Sequence, residues 1–276
     1  MPEHVEFSAM ILVKASPVVT SSLRENMCVA AMRLDPEPQW VRLHPVPFRD
    51  LADESKFRKY QKIRVRAIRP RSDRRPESWK PIEGSIRLGE TLGTDHGWSA
   101  RREWVARLGE STMCDLIERN KLDSGPSTPS LSVVRTAEPP ELLIDKRDKE
   151  QLDRWQQLAD AIDAQSSLFD DPAHNKPKFE VTPWRFRYDY RCLELNCRGH
   201  QQTIVDWEAE ALWRRVRHRG DWRELMRQKF VGELWAPSRD SVLFVGNMEQ
   251  RPRNFLVLGI FWPPSQALQT SLDIFS

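Results

Sequence analysis

Four short runs between residues 8 and 70 predict strands, the first two as apolar stretches, the first rich in branched residues, and the last two by alternation of apolar and polar positions. The runs are SAMILVKAS (8–16), NMCVAAMRL (26–34), QWVRLHPVPF (39–48) and YQKIRVRAIRP (60–70). In the fourth, Ile63, Val65 and Ala67 share one face, and Arg64, Arg66 and Ile68 share the other. That pattern describes a half-buried strand with a basic outer row. Pro45 and Pro47 each remove a ladder donor and are expected to end the third run. The period then changes to helical over 99–120, where Trp104, Leu108, Met113, Leu116 and Ile117 recur every three to four positions. Gly109 divides this stretch into two short helices. Cys114 falls on the apolar side and is expected to pack as core.

Residues 122–130 (LDSGPSTPS) read as a loop, 131–144 as strand, and 146–165 as a helix carrying Leu152, Trp155, Leu158, Ala159 and Ile162. Polar, Pro-bearing residues 163–179 form the predicted linker. A strand over 185–195, a helix over 203–219 and a closing hairpin (SVLFVGN and NFLVLGIFWPP) complete the chain. The fold class is α+β: a strand-rich N-terminal half and a smaller mixed α/β C-terminal half. The expected units are a basic strand-rich domain with inserted helices (1–140), a helix and linker (141–178), and a Cys/His-bearing strand–helix–hairpin domain (179–276).

With 276 residues, 39% hydrophobic and 30% charged, the chain is long enough for a sizeable core under a densely charged surface. FLVLGIFW, its longest apolar run, is too short to cross a bilayer, and the N-terminus lacks a secretory signal. Four cysteines do not make a disulfide scaffold, so a reducing cytoplasm is the expected setting. Net charge is only +3, but residues 56–80 hold eleven Lys and Arg against Asp73 and Glu77. A basic face interleaved with aromatics suits phosphate backbones and exposed bases; the alternative is an ordinary solvated surface. The candidate nucleic-acid contacts are Trp40, Arg42, Arg49, Arg64, Arg66 and Trp79, with Tyr60 as a further stacking residue.

RCLELNCRGH (191–200) places Cys192, Cys197 and His200 at C-x4-C-x2-H spacing. Thiolates and imidazole are the donors zinc prefers, and Gly199 provides the tight turn. Three ligands are too few for a structural site; Asp206, Glu208, His174 or His218 would have to supply the fourth. Three ligands with an open position would instead mark a catalytic metal, with Asp206 or Glu208 moving protons. Simple packing, and thiolate chemistry without metal, remain open for the same residues. Cys28 is either a packed thiol or, beside His44 or an arginine, a nucleophile. No GxxxxGK[ST], GxGxxG, HExxH, GxSxG or zinc-deaminase pattern is present.

ENMCVAAMRLDPEPQWVRLHPVPFRDL, KFRKYQKIRVRA, RPESWKP, RYDYRCLELNCRGHQQTIVDWEAEALWR and DSVLFVGNMEQRPRNFLVLGIFWPP together resemble a family of uncharacterised bacterial proteins. Its pattern touches Cys28, Trp40, Arg42, Pro45, Pro47, Arg49, Cys192, Cys197, His200, Asp206, Trp207 and Glu208. This sequence departs from it at Ala30–Met32, where a glycine is usual, and at His44, where tyrosine is. The N-terminal half is also loosely similar to the small RNA- or base-binding barrels of the PUA and ASCH type, an analogy of fold alone.

The expected function is binding of nucleic acid, DNA ahead of RNA, through the basic aromatic face, including a modified or extruded base. One alternative is a metal- or Cys-dependent enzyme that modifies a nucleobase, for example by hydrating the nitrile of a deazaguanine. Another is an adaptor with protein partners in a defence or DNA-modification complex.

Overall fold

The computed structural model describes residues 4–16, 18–19, 25–48, 51, 56–122, 128–169 and 180–265. The predicted N-terminal strands all form: β1 (Val5–Lys14), β3 (Glu25–Arg33), β4 (Gln39–Val46) and β5 (Gln61–Ile68). Three short strands join them: β2 (Val18–Val19), β6 (Ser78–Pro81) and β7 (Arg87–Thr91). Pairing runs β1–β3–β4–β6–β5, and β5 returns to β1, closing a five-stranded barrel. The β4–β6 contact is parallel and the other four are antiparallel. Closure leaves the five strands few free ladder edges; β2 and β7 attach outside the ring. Pro45 lies within β4, one residue before its end.

Phe7, Ile11, Val29, Val41, Leu43, Ile63, Val65 and Trp79 fill the barrel. Each large apolar side chain removed from water there contributes about 1.5–3 kcal/mol. The alternation read from β5 is borne out, with Ile63, Val65 and Ala67 buried and Arg64 and Arg66 exposed. In β1 alternation fails, because its outer face is covered as well. Met10 and Leu12 of β1, with Ala30 and Met32 of β3, pack against Leu131, Val133, Phe244 and Leu258.

Those last four residues belong to the C-terminal half. After the barrel come α1 (Asp95–Ala106), β8 (Glu110–Ser111) and α2 (Met113–Leu122). Gly109, at φ +68°, makes the break between the helices as its freedom from a Cβ allows. Then follow β9 (Leu131–Val134), β10 (Glu141–Lys146), α3 (Lys149–Phe169), β11 (Trp184–Tyr190) and β12 (His200–Thr203). The chain continues through α4 (Trp207–Val216), α5 (Trp222–Arg227), a π-helical turn (Gln228–Glu233), β13 (Val242–Met248) and β14 (Arg251–Phe261).

Strands β14–β13–β9–β8 make one sheet and β10–β11–β12 another. Pairing with β13 places β9 in the C-terminal sheet, although it precedes residue 140. A core of Tyr188, Trp213, Phe230, Leu243 and Val257 joins the sheets and helices. The helix expected from residue 203 starts only at Trp207, because Thr203 ends β12 and Ile204 bridges to Val257. Asp206 caps it, its carboxylate accepting from the Glu208 N–H at 3.0 Å. Among the described residues no helix is long and apolar enough to cross a membrane.

Candidate metal centre

Four side chains that could hold a metal ion converge beside β12: Cys114, Cys192, Cys197 and His200, with all donor atoms within 4.8 Å of one another. Cys114 comes from the first turn of α2, where Thr112 caps the helix by accepting from the Asp115 N–H at 3.1 Å. Cys192 follows β11 and bridges to Thr136. Cys197 sits in a turn closed by its own N–H donating to the Glu194 carbonyl, and His200 opens β12. Gly199, at φ +97°, lets the chain reverse between Cys197 and His200, and its N–H donates to the Cys197 Sγ at 3.4 Å.

The distances fit one ion. Tetrahedral zinc, with Zn–S of about 2.3 Å and Zn–N of about 2.0–2.1 Å, holds sulfurs about 3.8 Å apart and sulfur and nitrogen about 3.5 Å apart. Cys114 and Cys192 Sγ are 3.7 Å apart. His200 Nε2 lies 3.5 Å from Cys114 Sγ and 3.2 Å from Cys197 Sγ. Burial lowers the His200 pKa, which favours the neutral imidazole a metal needs. Without an ion, burial pushes the Cys114 thiol up to about 12, helped by hydrogen bonds with Cys192 and Cys197. Burial also opposes ionisation of Cys192, yet the Glu194 N–H and the neighbouring thiols outweigh it and lower its pKa. Three thiols and a neutral imidazole at these spacings are a donor set that could hold a metal ion, which would bind as the thiols give up their protons.

A second layer holds the ligands. Tyr190 donates to the Gln202 Oε1 at 2.6 Å, and the Gln202 amide reaches the Met113 Sδ at 2.9 Å, tying β11 and β12 to the residue before Cys114. Thr112 also donates to the Glu194 carboxylate at 3.2 Å, so the helix cap touches the Cys192–Cys197 loop. That loop points Leu193 and Leu195 into solvent.

The fourth side chain of the group is Cys114, expected from sequence to pack as core, and none of the described residues proposed for the role joins it. His218 is exposed and accepts from Arg217, while His174 lies outside the described residues. Asp206 and Glu208 face the barrel instead: Lys59 Nζ lies 2.9 Å from Asp206 Oδ2 and 3.1 Å from Glu208 Oε2. Burial opposes the Lys59 charge, but the two carboxylates outweigh it and raise the lysine's pKa. These groups lock α4 to the barrel and do not join the Cys/His cluster.

The nucleic-acid candidates separate into groups. Arg64 and Arg66 are exposed on β5, Arg64 pairing with Glu6. Arg87 of β7, which lies outside the basic run of residues 56–80, stands directly opposite Arg64 in the ladder and is also exposed. Arg42, only 3% exposed, instead donates to Ser130 and lies 3.5 Å from the Cys28 Sγ, because the C-terminal sheet covers the outer face of β4. Trp79 is buried in the barrel under the Arg69 guanidinium, 3.9 Å from its ring centre. Tyr60 is buried, and Trp40 packs edge-on against Phe244. Arg49 lies outside the described residues. Cys28 is partly exposed at the seam between barrel and C-terminal sheet.

The model of the domain of unknown function DUF8758 matches residues 6–107, and that of the domain of unknown function DUF8757 matches residues 109–275. The division falls between α1 and β8, where the barrel half gives way to the C-terminal half. No curated protein matches the chain. The second match spans more than half of the 276 residues, and the chain belongs to the DUF8757 family.

Proposed function

We propose that this chain binds nucleic acid, DNA ahead of RNA, on the outer face of its barrel, and that a structural zinc ion closes its C-terminal half. The binding reading is carried by one juxtaposition: Arg64 and Arg87 are cross-strand partners, both exposed, with Arg66 two residues along β5. Like charges directly opposite one another destabilise a ladder unless an anion lies between them. Glu6, which pairs with Arg64, answers only part of that charge. A phosphate backbone supplies regularly spaced anions, and its release of counterions makes binding salt-dependent.

The zinc reading rests on the donor set and its spacing. Three thiolates and an imidazole fill a tetrahedron, leaving no position for water or substrate, which favours a structural ion over a catalytic one.

The test is fluorescence anisotropy with a labelled oligonucleotide across a salt series, on protein of known zinc content. Expected is an affinity that falls as salt rises, with a shallower log–log slope when Arg64, Arg66 and Arg87 are changed to Ala. Binding indifferent to salt, or to the triple change, would overturn the reading.

A further inference from the structure

Cys192 and Cys197, two of the four clustered side chains, are the ends of a loop whose interior is Leu193, Glu194, Leu195 and Asn196. Cys192 is held by its bridge to Thr136. The Cys197 N–H donates to the Glu194 carbonyl at 3.0 Å, closing a turn with Leu195 and Asn196 at its tip. Turn tips favour Gly, Pro, Asn, Asp and Ser, so Asn196 suits its place and Leu195 is not there for the backbone. Leu195 is 95% exposed and Leu193 57%; of the large apolar side chains exposed among the described residues, only Met248 lies elsewhere. Glu194 is turned back, its carboxylate accepting from the Thr112 hydroxyl at 3.2 Å. With both ends fixed and the loop tied to the cap of α2, the tip is ordered before it meets a partner, and docking costs little conformational entropy.

The legs of the loop carry the charge. Arg191 precedes Cys192 on one leg and Arg198 follows Cys197 on the other, and both are exposed. Among the described residues neither side chain has a hydrogen-bond or ion-pair partner. Two free guanidiniums select an anionic surface, and an apolar tip selects one with an apolar interior beneath its anions. Duplex DNA and an anionic membrane both have that layering. The groups beside Leu195 decide between them. In hydrocarbon, Asn196 and the backbone of the turn would lose their water without replacement, whereas base edges in a groove offer hydrogen bonds. An apolar wedge accompanied by Asn and Arg is also the side-chain set that enters a base step from the minor groove. We propose that the 192–197 loop is a wedge for duplex DNA. Leu195 inserts at a base step, Asn196 meets the base edges, and Arg191 and Arg198 hold phosphates on either side. The proposal rests on the nucleic-acid reading and adds to the barrel's arginine row a contact that deforms the duplex.

The probe is a duplex carrying 2-aminopurine beside a central TA step, a step that unstacks readily. Fluorescence of the base analogue is read at saturating protein, and affinity is measured separately by anisotropy across a salt series. Binding of the parent protein is expected to raise the fluorescence as the step opens. Leu195→Ala should abolish that rise with melting temperature and metal content unchanged, since a side chain 95% exposed contributes little to the fold. Leu195→Met, which returns an apolar side chain of similar volume, should restore it. Changing Arg191 and Arg198 together to Ala should flatten the log–log salt slope by about two. Salt-dependent binding without a fluorescence rise, or an undiminished rise in Leu195→Ala, overturns the wedge and leaves the barrel reading standing. Absence of duplex binding at every salt concentration strikes the parent reading and the wedge with it. Leu195-dependent sedimentation with phosphatidylglycerol vesicles, in a protein that leaves the 2-aminopurine signal flat, would give the loop to a membrane instead.

Discussion

Lys59 of the barrel and Asp206 of the C-terminal half form a buried ion pair at 2.9 Å across the junction between them. Side-chain exposure is 13% for the lysine and 3% for the aspartate, so each charge depends on the other. Removing one member of such a pair strands the partner without water. Lys59→Met is therefore expected to lower unfolding stability by about 3–5 kcal/mol, measured by urea denaturation. The double change Lys59→Met with Asp206→Asn should recover part of that loss. Equal stability of the single variant and the parent would show that the pair contributes nothing.

The metal centre makes a sharper prediction, because Cys114 lies 78 residues before Cys192. Elemental analysis of purified protein should find about one zinc per chain, lost in Cys114→Ser and retained in Cys28→Ser. Zinc loss should also lower the melting temperature, since metal affinity is folding free energy. Acidification should release the ion as His200 and the thiolates take up protons. A Cys114→Ser protein with full zinc content would refute the assignment.

Reversing one charge tests the arginine row without touching the core. Arg87→Glu faces Arg64 across the ladder and converts a repulsive pair into an attractive one. The fold should gain about 0.2–1 kcal/mol while oligonucleotide affinity at low salt falls. Opposite movement of stability and binding is the signature; a parallel decline in both would indicate simple damage to the sheet.

Asp73 gives a pH prediction with a fixed sign. Burial alone would raise its pKa, but hydrogen bonds from Arg75 and Ser78 outweigh that and hold the carboxyl at about 2. A carboxyl depressed in the folded state adds stability above its unfolded value of about 3.9, and that stability is lost as pH falls toward 2. After allowance for solvent screening the contribution is about 1–2 kcal/mol at neutral pH. Unfolding curves of the parent and Asp73→Asn should differ by that amount at pH 7 and converge near pH 2.

What the sequence disclosed was local. Alternation along β5 gave both the buried aliphatic row and the exposed arginines, because one face of that strand meets solvent and one meets core. Cys114 was hidden because helical periodicity placed it among apolar neighbours, and the residues it meets, Cys192, Cys197 and His200, lie far along the chain. A signal was present: a cysteine in the first turn of a capped helix, where the dipole favours a thiolate. Asp206 likewise carried the N-cap pattern, an acidic residue followed by Glu208 in the first turn. The burial of Arg42 had no local sign. Alternation put it on the outer face of β4, and only the sheet arriving from residues 128–134 and 242–248 covers that face.

The double coverage of β1 has a practical consequence for anyone wishing to dissect the molecule. Severing the chain at residue 108, as the two family matches invite, would strip Met10, Leu12, Ala30 and Met32 of their lid and bare Leu131, Val133, Phe244 and Leu258 on the other fragment. Each fragment would carry a greasy sheet surface prone to self-association. Co-expression, not separate purification, is the way to obtain both pieces in native form.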